Sequence, residues 1–132
     1  MIVFDVERIA PWVCARAGGT HFPGSCHAIG LERDGGLIAG VLYDQFNGRA
    51  VQMHVAAVGR HWLNRSYLRI CFDYPFNQMK VQKVVGLVDS TNADALRFDQ
   101  HLGFVEEARL IDAGSKADLI ILTMTRQQCR WL

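Results

Sequence analysis

His54 is the side chain best suited to remove a proton near neutral pH, because the reference pKa of an imidazole, about 6.5, lies there. A second chemical feature is the basic stretch Arg60, His61, Trp62, Leu63, Asn64 and Arg65, which stands just before a helical pattern. The free N–H groups and positive dipole end of a helix start suit an anion such as a phosphate. A third is the polar turn Asp89, Ser90, Thr91 and Asn92, where the short side chains of Ser90 and Asn92 can accept from the orphan N–H groups of a following helix. Each feature also has a plainer reading. A lone His on a strand is more often packed or hydrogen-bonded than catalytic, and the arginines can simply be solvated.

The cysteines add no chemistry. Cys14, Cys26, Cys71 and Cys129 have no metal-type or CxxC spacing and read as thiols in a reducing cytosol. Cys71 falls on an apolar helix stripe and reads as core. No base-orienting partner is visible for a Cys-His enzyme.

These residues must be held by elements that the pattern supplies. Residues 2–6 read as a short strand and 7–17 as a helix interrupted near Pro11, since Pro is tolerated only in a first helical turn. Residues 18–25 form a loop. Residues 27–33, 37–46 and 50–58 read as three strands of an antiparallel meander, turned at Asp34-Gly35-Gly36 and Asn47-Gly48. In the last of them Val51, Met53 and Val55 share one face and Gln52, His54 and Ala56 the other. Tyr43 and Asp44, on the strand before, are candidates to face an acceptor, whereas Glu32 and Asp34 read as hairpin charges.

Residues 63–76 carry an apolar stripe at helical spacing, ended by Pro75. Residues 82–88 read as a buried strand, parallel to its neighbour because a helix crossover precedes it. A helix then runs to Leu102 and stops at Gly103, which can take the left-handed conformation that ends a helix. Residues 105–112 and 119–125 read as a final hairpin around Ala113-Gly114-Ser115. The expected fold class is α/β with a mixed, mostly antiparallel sheet and helices on its faces.

The 132 residues, half of them hydrophobic and a fifth charged, fit a single globular domain over 1–132. A net charge of +1 gives no reason to expect nucleic acid or an acidic membrane as partner. No apolar run approaches the roughly 20 residues of a membrane span, and the N-terminus lacks a signal-peptide pattern. The expected location is cytoplasmic.

The strand, Asn cap, helix and Leu102-Gly103-Phe104 exit over residues 84–104, with the meander before it, resemble the GNAT N-acetyltransferases over residues 27–126. The resemblance implies acetyl-CoA as cosubstrate and direct attack of a primary amine, of a small molecule or a peptide, on the thioester. It implies that Val55 contacts the pantetheine arm and that Asn92 and Phe98, which match the family pattern N-x-x-A-x-x-F-Y-x-x-L-G-F, lie at the cofactor. His54 would be the base, on the strand flanking the reactive centre, and His61 part of the phosphate loop.

Two departures stand out. The family's R-x-x-G-x-G/A phosphate loop falls on residues 59–64, with Trp62 and Asn64 where glycines belong, so side-chain charge from Arg60 and Arg65 would replace close backbone approach. The family's Tyr, which can protonate a departing thiolate, is replaced by Asp99. An exposed, ionised Asp cannot donate a proton; only burial that raised its pKa would let it. The plain expectation for Asp99 is an exposed carboxylate or a contact to a cationic acceptor. A non-catalytic binding module with a degenerate coenzyme A loop is the competing class, and transfer of a different acyl group a third. The short N-terminal region leaves the acceptor side open to completion by a partner subunit. With the apolar Trp131-Leu132 tail, it points to a homodimer.

Overall fold

A computed structural model describes residues 1–17, 25–59 and 64–132. The chain runs β1 (Ile2–Val3), α1 (Val6–Ala17), β2 (His27–Arg33), β3 (Gly36–Asp44), β4 (Ala50–Ala57), α2 (Arg65–Asp73), β5 (Lys83–Asp89), α3 (Ala93–Leu102), β6 (Val105–Leu110) and β7 (Leu119–Thr125). The strands form one seven-stranded sheet in the order β1-β2-β3-β4-β5-β7-β6. Among the described strands only β4 and β5 are parallel, as the crossover through α2 requires. The fold class is the expected one.

Alternation along the strands divides the core into two layers. One face of the sheet carries Val41, Val51, Met53, Val84, Leu122 and Met124, covered by Tyr67, Leu68, Cys71 and Phe72 of α2 and by Leu102 of α3. The other carries Ala28, Leu42 and Ala56 beneath Ile9, Ala10 and Val13 of α1. Gly30 and Gly40 are cross-strand partners under α1. A Cβ on Gly40 would stand 2.7 Å from Val13 Cγ2, so the missing side chain is what lets this helix lie so close to the sheet.

Three local readings are corrected. Pro11 does not interrupt α1, which runs continuously from Val6 to Ala17. The ring leaves the Glu7 carbonyl without its intrahelical donor, and the three buried residues flanking it, Ile9, Ala10 and Val13, hold the helix down. Second, α2 ends before Pro75 as expected, but the chain continues into a π-helical turn, Tyr74–Gln78, that accommodates the proline at its start. Third, Tyr43 does not face an acceptor: it is buried, and its hydroxyl donates to the Cys71 carbonyl between β3 and α2. The cap readings hold. Asn92 accepts from the Ala95 N–H at 3.2 Å, and Gly103 ends α3 with φ of 117°. The C-terminal Trp131 is tied to its own chain, donating from Nε1 to the Leu102 carbonyl at 2.9 Å.

Candidate functional site

β4 and β5 pair only through Ala50–Lys83, Val51–Val84 and Gln52–Val85, after which the ladder stops. From Met53 onward β4 stays bonded to β3, and from Gly86 onward β5 stays bonded to β7. The two strands therefore separate toward their C-terminal ends, where α3 begins. In an open sheet with parallel strands this is where ligands bind. The opening holds a cavity of about 630 Å³, lined by both strands, by α3 and by the end of α1.

His54 lines this cavity. It sits opposite Leu42 in the β3–β4 register, and Asp44 lies two residues further along β3 on the same face. His54 Nε2 is 2.8 Å from Asp44 Oδ1. Both side chains are partly shielded from water, 31% and 16% exposed. A carboxylate only accepts hydrogen bonds, so Nε2 is the donor in this contact and Nδ1 is the ring nitrogen left free of it. The sequence reading singled out both residues without joining them.

Asp99 lines the same cavity from α3. It is not the exposed carboxylate expected from sequence: burial pushes its carboxyl up to about 7. Desolvation disfavours the charged form, and no cationic group compensates among the causes of the shift. A carboxyl poised there is partly protonated at neutral pH and can donate. Val55, Asn92 and Phe98 also line the cavity, so five of the sequence-predicted site residues converge on it.

Asp89, which sequence reading treated only as part of a polar turn, also borders the cavity. Its carboxylate accepts from the backbone N–H groups of Thr91, Lys116 and Ala117 and from the Thr91 hydroxyl. These donors hold its carboxyl well below the usual carboxylate range and fasten the β6–β7 connection to the end of β5.

The phosphate-side stretch is engaged elsewhere where it is described. Asn64 caps α2, accepting from the Tyr67 N–H at 2.9 Å. Arg65 donates to the Arg130 carbonyl at 3.3 Å, with its guanidinium 5.8 Å from the Trp131 ring centre. Arg60, His61, Trp62 and Leu63 lie outside the described residues. Among the described residues, no group of three or more His, Cys, Asp or Glu side chains is arranged to hold a metal, and no helix is long and apolar enough to cross a membrane.

No family model matches the sequence, and no curated protein matches it either. Solved structures do. Variant forms of the spermidine/spermine N-acetyltransferase SpeG from Vibrio cholerae superpose with a TM-score of 0.73 at 15% identity, over 96% of this chain and 95% of that one. The same enzyme in complex with manganese ions gives 0.72 at 14% identity, over 97% and 93%. A further SpeG variant gives 0.66 at 20% identity, over 83% and 70%. At such identities the likeness speaks for the backbone arrangement. The seven-stranded mixed sheet, flanked by three helices among the described residues, matches the fold of these enzymes, which belong to the GNAT superfamily.

Proposed function

We propose that this chain is an N-acetyltransferase: one cytoplasmic catalytic domain over residues 1–132, moving an acetyl group from acetyl-CoA to a primary amine of a small molecule or peptide by direct attack. The observation that carries the reading is the pairing of two proton-handling groups across one opening. His54 on β4, oriented by Asp44, and Asp99 on α3, with its carboxyl raised to about 7, line the same cavity where β4 and β5 part. The backbone likeness to the spermidine N-acetyltransferases supports an amine acceptor. Spermidine and spermine, named for those Vibrio cholerae enzymes, are the first acceptors to screen.

The cavity suits the cosubstrate in chemical terms. Backbone groups of β4 and β5 beyond Gln52 and Val85 have no ladder partner across the opening, so an extended amide-bearing chain would find donors and acceptors there. Acetyl-CoA would bring the thioester. Val55 and Phe98 would border its arm, Asn92 its middle, and the 60–65 stretch its phosphates. The chain's own residues would handle the protons. His54 Nδ1 would take the proton of the attacking amine as the C–N bond forms. Asp99 would give its proton to the sulfur as the C–S bond breaks, the role left vacant by the missing tyrosine. Both groups must be in the right state together: His54 unprotonated and Asp99 protonated.

A second reading, a non-catalytic binding module on this fold, draws on Asn64 and Arg65, which are already engaged within the chain. Calorimetric titration with acetyl-CoA and with free coenzyme A, at low and high salt, separates the two. Micromolar, salt-weakened binding of both supports the acetyltransferase. No heat from either would overturn it in favour of the module.

A further inference from the structure

Among the described residues, β6 closes one end of the sheet, bonded to β7 alone, and all six of its residues are exposed. Three of the large apolar residues most open to water cluster here: Val105 at 46%, Leu110 at 47% and Ile111 at 71% exposure. An unpaired edge with exposed apolar residues is a template for another strand, and proteins usually blunt such edges with Lys, Pro or a bulge. Val105–Leu110 contains neither Lys nor Pro, and its charges, Glu106, Glu107 and Arg109, are of both signs, so they do not by themselves repel a second copy. It does contain a bulge, between Glu106 and Ala108, and the bulge has an unusual effect.

Val105 pairs with Thr123, Ala108 with Ile121 and Leu110 with Leu119, so these three share the sheet face of the odd-numbered β7 residues. The bulged Glu107 joins them, accepting from the Thr123 hydroxyl. Glu106 pairs with Leu122 and Arg109 with Ile120, which places both on the opposite face. The sequence of faces along β6 is therefore the same read in either direction about a point between Glu107 and Ala108. A regular strand of six residues could not show this, because strict alternation would put Val105 and Leu110 on opposite faces.

We propose that β6 is the docking edge for a second copy of this chain, the two β6 strands running antiparallel about a two-fold axis between Glu107 and Ala108. Side chains opposite one another then share a face, as antiparallel pairing requires. Val105 meets the partner's Leu110, and Glu106 meets the partner's Arg109, each pair occurring twice by symmetry. The charge order and the apolar order are both self-complementary, the requirement of an isologous interface. Within one chain Arg109 is held loosely, 3.6 Å from Glu106 and 3.5 Å from Asp118, so its donors can turn to a carboxylate across the axis. The inference is independent of the acetyltransferase reading.

Light scattering of the full chain after size exclusion, at micromolar concentration, should give twice the 14.8 kDa chain mass. Arg109→Glu sets like charges opposite one another at two symmetric points and should weaken the dimer about tenfold or more. The doubly exchanged Glu106→Arg, Arg109→Glu chain should restore it. Hydrogen exchange of the unmutated chain supplies a readout that no folding defect can confuse: amides of residues 105–110 should slow as concentration rises through the dimer range. A monomer at all concentrations, a dimer indifferent to Arg109→Glu, or β6 amides indifferent to concentration would each overturn the proposal.

Discussion

Asp99 leans over Gly86, its Oδ2 3.6 Å from where a Cβ on that glycine would stand. The bare backbone of β5 gives the carboxyl a place against the sheet, out of bulk water, and there burial raises its pKa to about 7. The carboxyl thus rests in van der Waals reach of the β5 backbone, at the face where the two elements meet.

The first prediction concerns pH. If Asp99 is the acid, turnover should fall as pH rises through about 7, and Asp99→Asn should abolish that limb along with most of the rate. The same group leaves a trace in stability. Its folded pKa lies above the ordinary 3.8, so its favourable contribution is complete below that value and is lost as pH rises through about 7. Urea midpoints of the parent should therefore drop more than those of Asp99→Asn between about pH 5 and about pH 8. Parallel midpoints would show that Asp99 is not shielded as described.

The second prediction concerns the base. His54→Ala should lower kcat by about 10²–10⁴-fold while leaving acetyl-CoA affinity intact. Asp44→Asn should lower kcat with little change in KM, because it disturbs which nitrogen carries the proton rather than removing the ring. Imidazole ¹⁵N shifts test this without any substrate: the parent should show Nε2 protonated, and Asp44→Asn a mixture. An unaltered tautomer would leave Asp44 no part in positioning His54.

The third prediction concerns the fold. Gly40→Ala would bring a methyl to 2.7 Å from Val13 Cγ2, forcing α1 outward. Overpacking of this kind costs about 1–3 kcal/mol. Chemical denaturation should show a lower midpoint with an unchanged slope, and α1 should be the first element to lose exchange protection. An unshifted midpoint would mean that α1 yields without cost.

Much of this architecture was legible from residue pattern. The meander, the parallel crossover, the Asn92 cap and the Gly103 stop all follow from period and capping chemistry, which act locally. The Asp44–His54 contact was not legible, and the reason is specific. A two-residue turn on Asn47-Gly48 would set His54 opposite Val41 and turn Asp44 to the other face. The observed connection spans residues 45–49, with the Asn47 side chain accepting from the Arg49 and Ala50 N–H groups. That shifts the register by one and brings His54 opposite Leu42, on the face of Asp44. Asp99 differs for another reason: its residue type says carboxylate, whereas its protonation depends on burial in the folded chain, which one-dimensional spacing does not show.

The early end of the β4–β5 ladder has a mechanical meaning. Three residue pairs stitch β1–β4 to β5–β7, so the sheet resembles two panels joined by a short seam. One hydrophobic cluster, with Val41 and Val51 on one side and Val84 and Leu122 on the other, runs beneath both panels, so they are held together below the seam and stand apart only at their C-terminal ends. A molecule that bridges the gap would act as the missing rungs, and catalysis and rigidity would then arrive together, on the same binding event.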